Sequence, residues 1–282
     1  MDAAEAELAH WRRAVARARQ LCVLTGAGMS AESGIPTFRD AVLSAPSAPS
    51  APASPVARGD RPGLGRPGTG PGLWSRFDPA RLASEEGFRA DPARVWDWYA
   101  ERREGVRHAE PHAGHLALAA FAARRPGVLT LVTQNVDDLH QRAGNTDTIR
   151  LHGDILADRW LDRCPRADRS PGLWCDPGWA HPGRPPACAD CGNPLRPAVV
   201  WFGEALPIAA LTAAERAAAA CDLMLVVGTS GAVWPAAGLA GQARRAGAQV
   251  LIVNPHASEI DDEAHAVLRG TAAGVLPSLL AP

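Results

Sequence analysis

Apolar residues in this chain form short runs, and each run follows an amphipathic stretch. Across residues 3–19 the large apolar side chains recur every three or four positions, which is the spacing of a helix. Residues 21–25 then form a mostly apolar run of strand length. The same order of helix and strand returns before three further runs, at residues 128–133, 223–228 and 250–254. Four apolar strands that alternate with helices predict a doubly wound α/β fold with a parallel sheet covered on both faces.

Two segments break this alternation. Residues 44–72 consist mainly of Pro, Ala, Ser, Gly and Arg, which predicts a mobile insertion loop because few large apolar side chains are available to order it. Residues 159–197 are rich in Pro, Gly, Arg and Cys without periodicity, which is typical of a small module held by a metal. The predicted organisation is a Rossmann-like domain over residues 1–40, 117–158 and 198–282, a loop and helical insertion over 41–116, and a small module over 159–197.

Composition narrows the possible functions. A hydrophobic fraction of 46% in 282 residues is enough for a sizeable core and excludes a disordered chain. The 29 basic residues, all of them arginine, nearly balance the 30 acidic residues, so no net charge attracts nucleic acid or an anionic membrane. The apolar runs are too short to span a bilayer, and the N-terminus shows no targeting pattern. We therefore expect a cytoplasmic protein that binds neither membrane nor nucleic acid.

Four of the six cysteines lie within the small module, which indicates a metal site rather than a disulfide scaffold. Cys188 and Cys191 form a C-x-x-C pair, whereas Cys164 and Cys175 are separated by ten residues. Four thiolates suit a closed, tetrahedral and structural zinc site. The wide first spacing leaves two alternatives open, a mixed site that uses His181 and a module without metal.

The first predicted strand leads into a glycine-rich turn. Gly26, Ala27 and Gly28 begin a G-x-G-x-x-A sequence, in which glycines let the backbone approach a pyrophosphate at a helix N-terminus. A simple strand-to-helix turn is the alternative. A dinucleotide-dependent dehydrogenase also needs a second strand that ends in an acidic residue about 20 positions later. Residues 37–40 and the insertion loop occupy that place, which argues against hydride transfer.

Two polar elements follow the second predicted strand. Gln134, Asn135 and Asp137 come at its carboxyl end, where ligands of open α/β sheets bind, although such residues also cap helices. His152 and Gly153 come after the next apolar stretch. A single histidine is more often structural than catalytic, so His152 is a candidate base only in combination with the other elements.

Taken in order, these motifs resemble the sirtuin family. The resemblance runs from about residue 19 to 277 and includes GAGMS with GIPTFR, TQNVD, the His152–Gly153 pair, the paired cysteines, GTS at 228–230 and VNP at 253–255. The resemblance implies an enzyme that consumes NAD to remove acyl groups from lysine, releasing nicotinamide and O-acyl-ADP-ribose. In that reaction the acyl oxygen attacks the ribose carbon as nicotinamide leaves. The family commonly has two residues between the first pair of cysteines, where this chain has ten.

The resemblance also assigns roles to residues. It makes His152 the general base on a ribose hydroxyl and places Asn135 beside it as a second catalytic residue. The implied NAD-binding residues are Gly26, Ala27, Gly28, Thr37, Phe38, Arg39, Gln134, Asn135, Asp137, Gly228, Thr229, Ser230, Asn254 and Ala272.

Two segments resemble the family's clamp for an extended acyl-lysine peptide. Residues Val200, Trp201, Phe202 and Gly203 form one side, and Val233 belongs to the other. Pairing through the backbone implies weak selectivity for the peptide sequence. An ordinary buried strand is the alternative for residues 199–202. The expected partners are proteins that carry acylated lysines.

Tyr99 and Arg102 suggest which acyl group is removed. Their i, i+3 spacing places both on one face of a predicted helix. They resemble the Tyr and Arg of class III sirtuins, which receive the carboxylate of succinyl- or malonyl-lysine. An amphipathic helix with solvated arginines is the structural alternative. The functional alternatives are an ordinary lysine deacetylase, a mono-ADP-ribosyltransferase and a non-enzymatic NAD or ADP-ribose sensor.

Overall fold

The computed structural model describes residues 3–36, 82–163 and 180–282, and the backbone alone at residues 3–4 and 180–181. The helices of these segments are α1 Ala3–Arg17, α2 Gly28–Ala31, α3 Glu85–Ala90, α4 Pro92–His108, α5 Ala113–Arg124, α6 Leu139–Arg142, α7 Ile208–Ala220, α8 Gly238–Arg245 and α9 Ala272–Leu279. The strands are β1 Leu21–Thr25, β2 Leu129–Thr133, β3 Ile149–Arg150, β4 Gly153–Trp160, β5 Ala180–His181, β6 Ala187–Cys188, β7 Leu195–Val199, β8 Leu223–Val227, β9 Gln249–Val253 and β10 Ala266–Leu268.

Six parallel strands form the main sheet in the order β10-β9-β8-β1-β2-β3. This arrangement confirms the predicted doubly wound α/β fold. The four predicted strands lie within a residue or two of their expected bounds. β3 and β10 were not predicted, because edge strands of two and three residues are too short to stand out as apolar runs of strand length.

The central strand β1 is buried at all five positions because helices cover both faces of the sheet. Leu21 and Val23 belong to the core beneath α1, α5 and α9, whereas Cys22 and Leu24 belong to the core beneath α7 and α8. Successive strand residues point to opposite faces, so a strand covered on both sides needs apolar residues throughout. This explains why its sequence shows a continuous apolar run instead of an alternating one.

A second, smaller region packs against the carboxyl edge of this sheet. Its antiparallel pair β4–β7 shares a core with α3 and α4. Arg103 of α4 connects the helix to β4 by donating hydrogen bonds to the carbonyl oxygens of Ile155 at 2.5 Å and Ala157 at 3.0 Å. β4 begins at Gly153, inside the segment 117–158 that was predicted to belong to the sheet domain. It pairs with β7 and not with the parallel sheet, so the residues of β4 belong to the smaller region.

Within the described segments, no helix is both long and apolar enough to cross a bilayer. The predicted mobile loop at 44–72 lies outside the described residues, as do Thr37, Phe38, Arg39, Cys164 and Cys175.

Candidate active site

The loops after β1, β2 and β8 meet at the carboxyl edge of the sheet. β1 and β8 are neighbours there, and the strand order proceeds in opposite directions on either side of them. Such a switch point is where open α/β sheets bind their ligands. The motifs beginning at Gly26, Gln134 and Gly228 therefore converge on one place, as the sequence predicts.

The loops after β1 and β8 touch through their backbones. The Gly28 amide donates to the Gly228 carbonyl oxygen at 2.7 Å. A Cβ at Gly28 would lie 2.8 Å from that oxygen, and a Cβ at Gly26 would lie 2.7 Å from the Thr229 Cβ. Asn254, from the loop after β9, donates from Nδ2 to the Thr229 carbonyl at 2.8 Å. These glycines let the two loops pack backbone to backbone, as in the glycine-rich turns that bind a pyrophosphate-bearing ligand such as NAD.

A buried hydrogen-bonded chain joins the first loop to the residues after β2. Asn135 Nδ2 donates to Ser30 Oγ at 2.8 Å, and Ser30 Oγ donates to Asp137 Oδ2 at 2.8 Å. The Leu139 amide donates to the other Asp137 oxygen at 3.1 Å. Burial raises the pKa of Asp137, although these hydrogen bonds oppose the shift. Ser30 lies within the glycine-rich motif, but no role is predicted for it from sequence, because its link to Asn135 and Asp137 depends on tertiary structure.

The half-buried His152 presents one free ring nitrogen to the site. Its Nδ1 lies 2.8 Å from the Gln134 carbonyl oxygen, which can only accept, so Nδ1 carries the proton and Nε2 is left with a lone pair. Burial lowers the pKa of His152, and the hydrogen bond to Gln134 opposes that shift. The imidazole is therefore neutral near pH 7 and suited to accept a proton.

Gly153 explains why a glycine follows this histidine. Its φ is +82°, and a Cβ would lie 2.1 Å from the Ala198 carbonyl oxygen. The close approach lets β4 pair with β7, and the Val200 amide then donates to the His152 carbonyl at 2.9 Å. His152 therefore joins the sheet edge to the segment that follows β7.

Three histidines that the sequence analysis did not single out lie behind the site. His140 Nε2 is 3.0 Å from Thr25 Oγ1, and the rings of His112 and His115 are 4.2 Å apart. Burial lowers the pKa of His115 to about 2 and that of His140 to about 3. His112 Nε2 donates to the Met29 carbonyl at 2.5 Å, so the cluster supports α2 from below.

α4 carries the predicted Tyr99–Arg102 pair. Tyr99 is buried, and Trp201 Nε1 donates to its hydroxyl oxygen at 2.9 Å. Burial raises the pKa of Tyr99 to about 12, although the charge of Arg102 opposes that shift. The Arg102 guanidinium carbon lies 4.8 Å from the centroid of the Trp98 ring, and burial lowers its pKa. The helix thus brings the two residues within electrostatic reach of each other.

The residues predicted to clamp the peptide differ in exposure. Phe202 is 50% exposed and Val233 is 39% exposed, as expected for residues that meet a ligand at the surface. Trp201, in contrast, is 1% exposed and packs inward against Phe88. The Phe202 amide donates to the Ala83 carbonyl at 2.9 Å, so the segment is attached to the residues before α3. The side chain of Trp201 therefore faces the core and not the peptide groove predicted for it.

The remaining predicted residues are more scattered. Ala27 and Ser230 are half-buried in the two loops, whereas Ala272 is buried in the first turn of α9. Cys188 is buried and Cys191 is exposed in the turn after β6. No group of three or more His, Cys, Asp or Glu side chains that could hold a metal occurs in the part of the chain that the structure describes.

Comparison with known proteins agrees with this geometry. The Sir2 family profile matches residues 68–235. An NAD-dependent protein deacylase from Ralstonia nicotianae is 48% identical over 99% of this chain and 97% of its own length. A Sir2 homologue solved with NAD superimposes with a TM-score of 0.74 at 36% identity, covering 96% of this chain and 92% of its own. Sir2Tm, solved with a propionylated peptide, superimposes with a TM-score of 0.71 at 25% identity, covering 96% and 95%. The chain therefore belongs to the Sir2 family, the sirtuins.

Proposed function

We propose that this sirtuin, an NAD-dependent protein deacylase, acts on acylated lysines and prefers acyl groups that end in a carboxylate, such as succinyl and malonyl. The observation that carries the acyl preference is the Tyr99–Arg102 pair on α4. One member is a protonated phenol and the other is a desolvated cation, and both groups suit a carboxylate.

In this proposal His152 is the general base. The acyl oxygen bonds to the ribose carbon as the bond to nicotinamide breaks. Nε2 of His152 then accepts a proton from a ribose hydroxyl. Its Nδ1 keeps its proton and donates it in a hydrogen bond to the Gln134 carbonyl, which keeps the ring in the required tautomer. The deprotonated hydroxyl oxygen attacks the acyl carbon, and one water molecule then completes the cleavage of the bond between the acyl carbon and the lysine nitrogen. The released products are nicotinamide, free lysine and O-acyl-ADP-ribose.

The residues after β2 orient the nicotinamide and ribose end of NAD. Asn135 and Asp137 are held by Ser30, so their side chains are fixed before the ligand arrives. Such preorganisation lowers the entropic cost of reaching a reactive geometry. Ala27, Phe38 and Arg39 belong to the same nicotinamide and ribose end. The adenosine and phosphate end is bound by Gly26, Gly28, Gly228, Thr229, Ser230, Asn254 and Ala272, and Thr37 completes the NAD site.

The acyl preference follows from the state of Arg102. Burial lowers the pKa of Arg102, which means that its charge has lost much of its hydration. A carboxylate supplies a charge-assisted bond worth about 1.5–3 kcal/mol, or roughly 10- to 150-fold in rate if it is realised in the transition state. An acetyl group supplies no such bond. A succinyl- or malonyl-lysine should therefore be the better substrate.

The substrate protein binds as an extended peptide between the segments at Val200–Gly203 and Val233. The exposed side chains of Phe202 and Val233 support this assignment, and Trp234, which is 71% exposed, extends the same surface. Because an added strand is held by its backbone, the surrounding peptide sequence should matter little.

We also propose that Cys164, Cys175, Cys188 and Cys191 bind one structural zinc ion. The Cys188 carbonyl accepts from the Gly192 amide at 2.9 Å, so the C-x-x-C pair lies in a tight turn that suits metal thiolates. Metal analysis of freshly purified protein should find about one zinc per chain. Less than about half an equivalent would favour the module without metal.

The central experiment is a panel of acetyl-, propionyl-, malonyl- and succinyl-lysine peptides incubated with NAD and analysed by mass spectrometry. The proposal predicts nicotinamide and O-acyl-ADP-ribose, with the highest kcat/KM for succinyl or malonyl peptides. A higher kcat/KM for acetyl would indicate an ordinary deacetylase. ADP-ribose that is transferred from labelled NAD to protein, without acyl release, would indicate an ADP-ribosyltransferase.

A further inference from the structure

The buried indole of Trp201 has two polar neighbours that the reaction scheme leaves unexplained. On its face, the Arg196 guanidinium carbon lies 3.3 Å from the ring centroid. At its edge, Nε1 donates to Tyr99 Oη at 2.9 Å. Trp201 and Arg196 are each 1% exposed, so these contacts are not diluted by solvent.

The hydrogen bond between Trp201 and Tyr99 has a fixed direction. An indole N–H only donates, so the phenol oxygen of Tyr99 is the acceptor. The Tyr99 proton must therefore point elsewhere and is left to donate. With a pKa raised to about 12 by burial, Tyr99 keeps that proton at neutral pH.

Arg196 and Glu204 hold the indole in place. Arg196 Nη2 donates to Glu204 Oε2 at 3.1 Å and to the Val199 carbonyl at 2.5 Å. Glu204 Oε2 also accepts from the Trp201 amide at 2.8 Å, and Oε1 accepts from Arg159 Nη2 at 3.0 Å. One carboxylate thus fixes both the backbone of Trp201 and the cation stacked on its ring.

We propose that Trp201 is a positioning residue, which orients the Tyr99 hydroxyl so that it donates a hydrogen bond to the carboxylate of the acyl group. The Arg196–Glu204 pair keeps the Trp201 indole in the orientation that this requires. The proposal rests on the acyl preference argued above. It assigns Trp201 a role through Tyr99 and not through contact with the peptide.

The test compares Trp201→Phe, Tyr99→Phe and the double variant on succinyl- and acetyl-lysine peptides. Trp201→Phe keeps an aromatic ring for Arg196 but removes the N–H donor together with the five-membered ring of the indole, a loss of volume that the control variant shares. We expect kcat/KM for succinyl to fall about 3- to 10-fold more than that for acetyl, the range for one neutral hydrogen bond. In the Tyr99→Phe background the same substitution should cause no further selective loss. Trp11→Phe is the matched control, because Trp11 is a buried tryptophan of the sheet core, remote from Tyr99.

A second readout does not depend on acyl preference. The chain has one tyrosine, so protein labelled with [13Cζ]tyrosine gives a single NMR signal from Tyr99. This signal should move in Trp201→Phe and stay in place in Trp11→Phe. If Trp201→Phe folds poorly, Arg196→Lys takes its place in the test. Lysine keeps a positive charge for Glu204 but cannot stack as a plane on the indole. We expect the same shift of the Tyr99 signal and the same selective loss of kcat/KM on succinyl peptides.

Three results would overturn the positioning role: equal losses on both acyl groups, selective losses that add in the double variant, or an unmoved Tyr99 signal. A parent enzyme that favours acetyl would instead contradict the proposed acyl preference, and the NMR signal would still report whether Trp201 orients Tyr99.

Discussion

The site has two halves, one formed mainly by backbone groups and the other mainly by side chains. The half that we propose binds NAD, called the nucleotide half below, consists of the loops after β1, β2 and β8. Its loops pack backbone to backbone, as in the 2.7 Å hydrogen bond from the Gly28 amide to the Gly228 carbonyl, and the buried histidines behind them are neutral. In the half that we propose binds the acyl group, formed by Tyr99, Arg102, Arg196 and Trp201 and called the acyl half below, arginines and aromatic rings form the contacts, as in the stack of Arg196 on Trp201. A site made of backbone tolerates few changes, whereas one made of side chains can change its selectivity by substitution.

The largest expected effect comes from His152, where the two halves meet. His152→Ala should lower kcat on the best peptide by about 10²- to 10⁴-fold, the usual contribution of a general base. NAD binding and the circular dichroism spectrum should be unchanged, because the main chain that pairs with Val200 remains. The exposed His10 on α1 gives the matched control, His10→Ala. Activity within a few-fold of the parent would remove His152 from the reaction.

Gly28→Ala should weaken NAD binding without changing the acyl selectivity. A Cβ there would lie 2.8 Å from the Gly228 carbonyl oxygen, so one of the two loops must move. We expect the KM for NAD to rise by roughly tenfold or more, while the ratio of succinyl to acetyl kcat/KM stays near that of the parent. Gly105→Ala in α4, where a Cβ meets no atom within 4 Å, is the control and should leave the KM unchanged. A shifted acyl ratio in Gly28→Ala would show that the halves are not independent.

Lowering the pH should destabilise the nucleotide half before it destabilises the acyl half. Burial lowers the pKa of His115 to about 2 and that of His140 to about 3, below the value of about 6.5 in an unfolded chain. Between these pH values the unfolded chain binds protons that the folded protein does not. The contribution of the two histidines to the free energy of unfolding is therefore fully present above about pH 6.5 and is lost as the pH falls. At pH 5 the loss is about 2 kcal/mol per histidine.

Urea unfolding at pH 7.5 and pH 5.0 measures this loss. His140→Asn should lose less stability on acidification than the parent, while the exposed His10→Asn should lose as much. Hydrogen exchange at pH 5 should show β1 and β2 opening before α4. Earlier opening of α4, or equal losses in the parent and His140→Asn, would contradict the assignment of the acid response to these histidines.

The nucleotide half was largely predictable from sequence because its signals are local. β1 was predicted with its exact bounds, Leu21–Thr25, and the glycine turn and the Gln134–Asp137 segment follow their strands as expected. The edge strands β3 and β10 were missed because their pairing depends on neighbours and not on apolar content.

The acyl half was predictable only in part. A helix that carries Tyr99 and Arg102 on one face was expected, but the inward orientation of Trp201 was not. That orientation depends on Arg196, which stacks on the indole, and on Glu204, which binds Arg196 and the Trp201 amide. Arg196 lies on β7, which pairs with β4 from much earlier in the chain. Long-range contacts between arginine, carboxylate and aromatic ring leave no periodic trace in a sequence.

The most direct test of the division between the halves is the ratio of kcat/KM for succinyl- and acetyl-lysine peptides, measured at saturating NAD in the parent, Arg102→Met and Arg107→Met. Arg107 is an exposed arginine of the same helix, paired with Glu104. We expect the parent to favour succinyl, Arg102→Met to lose that preference by about 10- to 150-fold while sparing or improving acetyl removal, and Arg107→Met to match the parent. A parent that removes acetyl better than succinyl, or an Arg102→Met variant that loses both activities equally, would contradict the account.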